Sequence, residues 1–90
     1  MNNFPKKEQV QELREQYPPG TRIELIYMED LYRKLQPGTR GTVIQIDDIG
    51  TIHCNWDSGS GLGLVYGEDR FRKLTEQELN EERQGQYLHM

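Results

Sequence analysis

Eight of the nine glycines, Gly20, Gly38, Gly41, Gly50, Gly59, Gly61, Gly63 and Gly67, fall between residues 20 and 67, interleaved with runs of β-branched and aromatic residues. That is the punctuation of short strands joined by tight turns, and it leaves little room for a helical middle. Alternation then assigns five strands. Residues 22–28 place Ile23, Leu25 and Tyr27 on one face. Residues 41–47 and 51–56 form a hairpin around Asp47-Asp48-Ile49-Gly50, with Ile52, Cys54 and Trp56 sharing a face of the second strand. Residues 62–66 and 70–74 complete the set. In the strand over 41–47 the apolar phase breaks, and a bulge near Gln45 is expected to turn both Val43 and Ile46 inward.

The flanks lack this punctuation. Val10, Leu13 and Tyr17 recur at helical spacing behind Pro5, and Tyr17-Pro18-Pro19 stops the helix, since proline disfavours helical geometry in the residue before it. A helix this short needs a surface to dock on, and those three side chains are the expected stripe. Thr75-Glu76-Gln77-Glu78 fits a capping box, and Leu74 and Leu79 occupy the positions of a hydrophobic staple. A helix beginning at Thr75 carries little apolar surface beyond Leu79, and it is expected to fray before Gly85. Three segments follow: an N-terminal helical arm (1–18), a β-barrel (19–74) and an acidic C-terminal helix and tail (75–90).

Charge follows the same division. Net charge is −4 over 90 residues; the first arm is neutral, the middle is −1, and the last arm, with Glu76, Glu78, Glu81 and Glu82 against Arg83, carries −3. An acidic balance argues against general phosphate-backbone binding. No stretch approaches the ~20 apolar residues of a membrane span, and Met1–Val10 has no apolar leader. With one cysteine, Cys54, the reducing cytoplasm is the expected compartment. Pro19-Gly20-Thr21-Arg22 recurs as Pro37-Gly38-Thr39-Arg40; the echo reads as one turn used twice, each time delivering the chain into a strand.

Five short strands, one longer excursion over residues 29–37 and a hydrophobic content of only 33% point to a small closed barrel, because an open sheet of this size leaves its edges unprotected. The runs Pro37-Gly38-Thr39-Arg40-Gly41-Thr42-Val43, Asp48-Ile49-Gly50-Thr51-Ile52-His53, Asn55-Trp56-Asp57-Ser58-Gly59 and Gly67-Glu68-Asp69-Arg70-Phe71 resemble SH3-like small-barrel grammar. Together they most closely resemble a bacterial domain-of-unknown-function family (forty-three fourteen), whose members are commonly carried by bacteriophages and mobile elements. The resemblance spans about residues 17–74. It implies a mainly β fold, an SH3-like five-stranded barrel, and no chemistry to carry over; the arms, read above as a helix at each end, lie outside it.

Catalytic constellations are sparse. His53 and Cys54 are neighbours in a strand and point to opposite faces, so they form no nucleophile–base pair; His89 is penultimate. Asp47-Asp48 lacks the alternating ligands of a calcium loop. Gly59, Gly61 and Gly63 lead into a strand rather than a helix, unlike a phosphate loop. No cofactor or metal site is expected.

The remaining constellation is aromatic and acidic: Tyr32, Trp56, Asp57, Tyr66, Glu68 and Asp69 on one rim suit a peptide or a basic side chain. Against it stands a plainer arrangement, in which Trp56 and Phe71 are core and the carboxylates pair with Arg22, Arg40 or Arg70. The expected function is a non-enzymatic protein- or peptide-interaction module. Two alternatives stand beside it: a nucleic-acid face built from Arg22, Arg33, Lys34, Arg40, Arg70, Arg72 and Lys73, and a self-associating structural protein.

Overall fold

The computed structural model describes residues 5–29 and 35–88. Helix α1 (Lys7–Gln16) leads into strands β1 (Arg22–Tyr27), β2 (Arg40–Ile46), β3 (Thr51–Trp56), β4 (Leu64–Val65) and β5 (Arg70–Lys73), and helix α2 (Glu76–Leu88) follows. The strands form one antiparallel sheet in the order β4-β3-β2-β1-β5. The fold is therefore mainly β with a helix at each end. Among the described residues no ladder joins β4 to β5; the nearest link is a bridge between Tyr66 and Asp69.

The repeated Pro-Gly-Thr-Arg segment makes the same turn twice. In each, the threonine amide and hydroxyl both return to the carbonyl three residues earlier, at 3.1 and 2.6 Å: Thr21 to Pro18, and Thr39 to Gln36. Proline sits second and glycine third, with φ of 93° at Gly20 and 92° at Gly38, a left-handed conformation that a Cβ would oppose. Each turn delivers an arginine as the first residue of its strand: Arg22 in β1 and Arg40 in β2.

The inner face of the sheet gathers Ile23, Leu25, Val43, Ile46, Ile52, Cys54, Trp56 and Leu64. The β2 bulge falls where the pattern requires it: register shifts between Val43 and Gln45, both Val43 and Ile46 are buried, and Ile44 is left outside. Helix α1 adds Val10 and Leu13 to this core. Tyr17 meets the Phe71 ring edge-on at 5.1 Å, and Arg14 donates to the Ile46 carbonyl and to Asp48, fixing the helix over the β2–β3 turn.

Two expectations need correcting. Strand β4 is two residues long rather than five, because the chain before it is otherwise engaged: the Trp56 amide donates to the Ser60 carbonyl and the indole Nε1 to the Leu62 carbonyl at 2.8 Å. Helix α2 does not fray before Gly85 but runs to Leu88. The capping box forms, with Thr75 N–H donating to Glu78 and Glu78 N–H to the Thr75 hydroxyl. Among the described side chains beyond Leu79, Glu82 fastens the helix to the sheet through ion pairs with Arg22 and Arg40.

Candidate functional site

The sequence-predicted rim separates into three places. Trp56 is only 3% exposed and belongs to the core; its ring does not stand beside Tyr66, which is 56% exposed in the turn after β4. A chain with so few apolar residues commits its largest ring to the interior. Asp57 lies against α2, where it takes a bidentate pair from Arg22 at 2.7 and 2.8 Å. Only Glu68 and Asp69 remain near the β1 end. Tyr32 lies outside the described residues. The plainer arrangement thus describes Trp56 and Asp57, whereas Phe71 is half-buried against the core rather than inside it.

Two clefts adjoin where β1 ends. One, of about 770 Å³, is lined by Ile26, Tyr27, Glu29, Gly67, Glu68 and Arg70. The other, of about 350 Å³, shares Glu29 and Glu68 with it and adds Met28, Leu62, Gly63, Val65 and Asp69. Asp69 fixes their common wall: its carboxylate accepts from the Glu29 amide at 3.0 Å and from the Val65 amide at 2.9 Å, tying the end of β1 to β4. Ile26, Tyr27 and Val65 are each about half exposed, at 48%, 47% and 44%. Neither Glu29 nor Glu68 is in an ion pair among the described residues.

Ile26, Tyr27 and Glu29 were absent from the sequence-level site. A signal for Ile26 is there, since it interrupts the polar face begun by Arg22 and Glu24. Tyr27 has none. A bulge between Leu25 and Tyr27 opposite β5 turns it out of the Ile23–Leu25 phase, and that depends on pairing with a strand more than forty residues away.

The outer face of the sheet carries a second constellation. Register sets Arg40, Glu24 and Arg72 side by side across β2, β1 and β5, and Glu24 bridges both arginines at 3.1 and 3.2 Å. Glu78 and Glu82 of α2 descend on this row. Glu78 pairs with Arg72 at 2.6 Å and Arg40 at 3.2 Å, and Glu82 with Arg22 at 2.7 Å and Arg40 at 3.3 Å. The Arg72 guanidinium, aided by the Thr75 amide, holds the Glu78 carboxyl down at about 2. Arg22 likewise lowers Asp57 and Glu82. Three residues of the proposed nucleic-acid face, Arg22, Arg40 and Arg72, are therefore all engaged by carboxylates. Lys73 lies over the Tyr17 ring at 5.1 Å, and Arg33 and Lys34 lie outside the described residues. Among the described residues of that set, Arg70 alone lines the first cleft.

Among the described residues, reactive groups do not converge. The His53 Nε2 is 2.9 Å from Asp47, whose carboxylate also accepts from the Ile49 and Thr51 amides and so shapes the turn. Burial pushes the Cys54 thiol up to about 12. Among the described residues no three His, Cys, Asp or Glu side chains are grouped to hold a metal ion, and no helix is long and apolar enough to cross a membrane.

The family model described as a domain of unknown function (DUF4314) matches residues 6–74. The chain belongs to that family. No curated protein matches the chain. The DUF4314 segment contains α1, all five strands, both clefts and the arginine row; α2 lies beyond its end.

Proposed function

We propose that this protein is a non-enzymatic binding module that takes an extended peptide, carrying a basic side chain, across the paired clefts at the end of β1. The supporting observation is that Glu29 and Glu68, in no ion pair among the described residues, line both clefts beside the half-exposed Ile26 and Tyr27. An extended ligand presents alternate side chains about 6–7 Å apart, which matches an apolar contact on Ile26 and Tyr27 followed by a cation between the glutamates. Tyr66 and Asp69 keep their place in this reading, Tyr66 as an exposed ring on the adjoining turn and Asp69 as the residue that holds the wall. Trp56 and Asp57 leave it. The family resemblance is the ground for assigning the module to a bacteriophage or mobile element as an accessory, and the single cysteine, Cys54, is the ground for placing it in the cytoplasm.

The test is selection from a random peptide library on the parent chain and on the Glu29→Lys/Glu68→Lys variant. The parent should enrich peptides with Lys or Arg next to an apolar residue, and the variant should lose them. Enriched peptides added to labelled protein should shift the amides of Ile26, Tyr27 and Gly67. Enrichment that ignores the charge reversal, or shifts confined to another face, would overturn the assignment.

A further inference from the structure

Helix α2 is attached in an unusual way for a terminal helix. Leu74 is buried at its root and Leu79 lines the space beneath it, but from Glu78 onward its described fastenings to the sheet are ion pairs: Glu78 to Arg40 and Arg72, Glu82 to Arg22 and Arg40. A cleft of about 950 Å³ remains between helix and sheet. Ion pairs of partly exposed groups are individually weak and readily exchanged. The face they cover is built independently of them, because Arg22 and Arg40 are delivered by the twin turns and Arg40, Glu24 and Arg72 are aligned by strand register. That face lies within the family segment, and the helix over it does not.

We propose that the arginine row is a docking site for an acidic helix of a partner protein, and that α2 occupies the site until such a helix displaces it. The geometry states what the partner must present. Glu78 and Glu82 are four residues apart, so the row accepts two carboxylates about 6 Å apart along one helical face. Nucleic acid fits less well. With α2 lifted, Arg22, Arg40 and Arg72 still hold Asp57 and Glu24, leaving one net positive charge on the row. Phosphate-driven binding draws on several unopposed cations. A tethered helix competes at an effective concentration of about millimolar, so the parent chain masks the site and removing the two charges unmasks it.

The experiment uses the full chain with Glu78→Gln and Glu82→Gln, which keeps a capping side chain at position 78, and a fluorescent peptide spanning residues 75–88. Anisotropy should show the variant binding the peptide about tenfold or more tighter than the parent, with the difference shrinking between about 50 and about 500 mM salt. The same peptide with glutamine at both positions should not bind. Adding Arg40→Gln and Arg72→Gln to the variant should abolish binding. Equal affinity for parent and variant, or binding indifferent to the peptide's glutamates, overturns the proposal. Displacement of the peptide by duplex DNA more readily than by unlabelled peptide overturns it in favour of phosphate. On the unaltered chain, a large excess of peptide should shift the Arg22 and Arg40 Nε–H resonances, and shifts that fall elsewhere also refute it.

Discussion

Gly41 and Trp56 face each other across β2 and β3, and alanine at position 41 tests how tightly the core is closed there. A Cβ on Gly41 would lie 2.7 Å from Trp56 Cε3, 3.0 Å from Cδ2 and 3.1 Å from the Asn55 carbonyl. Ordinary carbon contacts are near 3.5–4 Å, so the overlap on the ring is about 1 Å. The indole cannot retreat cheaply, because it is buried and its N–H is spent on the Leu62 carbonyl. Overpacking of this kind costs about 1–3 kcal/mol. Gly41 does not have positive φ, so alanine brings no backbone strain and recovers about 0.4–1 kcal/mol through the unfolded chain. The expected balance for Gly41→Ala is a loss of about 1–2 kcal/mol. Urea unfolding followed by the fluorescence of the single tryptophan should show the midpoint falling by about 1 M with an unchanged slope. In a Trp56→Phe background, followed by circular dichroism, the cost of alanine should shrink. A Gly41→Ala chain as stable as the parent would refute the packing argument.

Three further outcomes follow from side chains already described. The Cys54 thiol, buried and held up at about 12, should resist thiol reagents at about pH 8 and react only along the urea transition. Asp69→Ala should speed hydrogen exchange at the Glu29 and Val65 amides and cost about 1 kcal/mol, through the loss of two hydrogen bonds that hold the cleft wall. Acid should release α2 before the sheet unfolds. Glu78 is lowered from 4.5 to about 2 by Arg72, so its contribution is fully present above about 4.5 and is lost as pH falls through about 2. Amide exchange along residues 76–88 that rises between those limits, ahead of the Trp56 signal, is the expected result; simultaneous loss of both would contradict it.

Much of the framework was legible because it depends on short-range chemistry. Glycine punctuation located the strands, the broken phase of β2 announced its bulge, the Val10–Leu13 spacing named the docking stripe of α1, and Thr75 with Glu78 announced the start of α2. The candidate rim was less legible because it required knowing which faces meet. Trp56 reads as a rim residue or as core, the scarcity of apolar residues favours core, and the folded interior takes it. Glu68 and Asp69 were singled out from the sequence and lie on the clefts at the end of β1, but the β1 side of those clefts was not singled out.

Local sequence determined where the turns and most of the strands fall, down to the twin Pro-Gly-Thr-Arg turns that start β1 and β2 with arginine, since φ preference and alternation act over a few residues. Tertiary structure decided what those arginines do. Register between β1, β2 and β5 sets Arg40, Glu24 and Arg72 in one row, and α2, continuing past Gly85, brings Glu78 and Glu82 onto it. Charge pairing across some sixty residues has no local signature, because a carboxylate's partner is chosen by distance in space and not by separation in the chain.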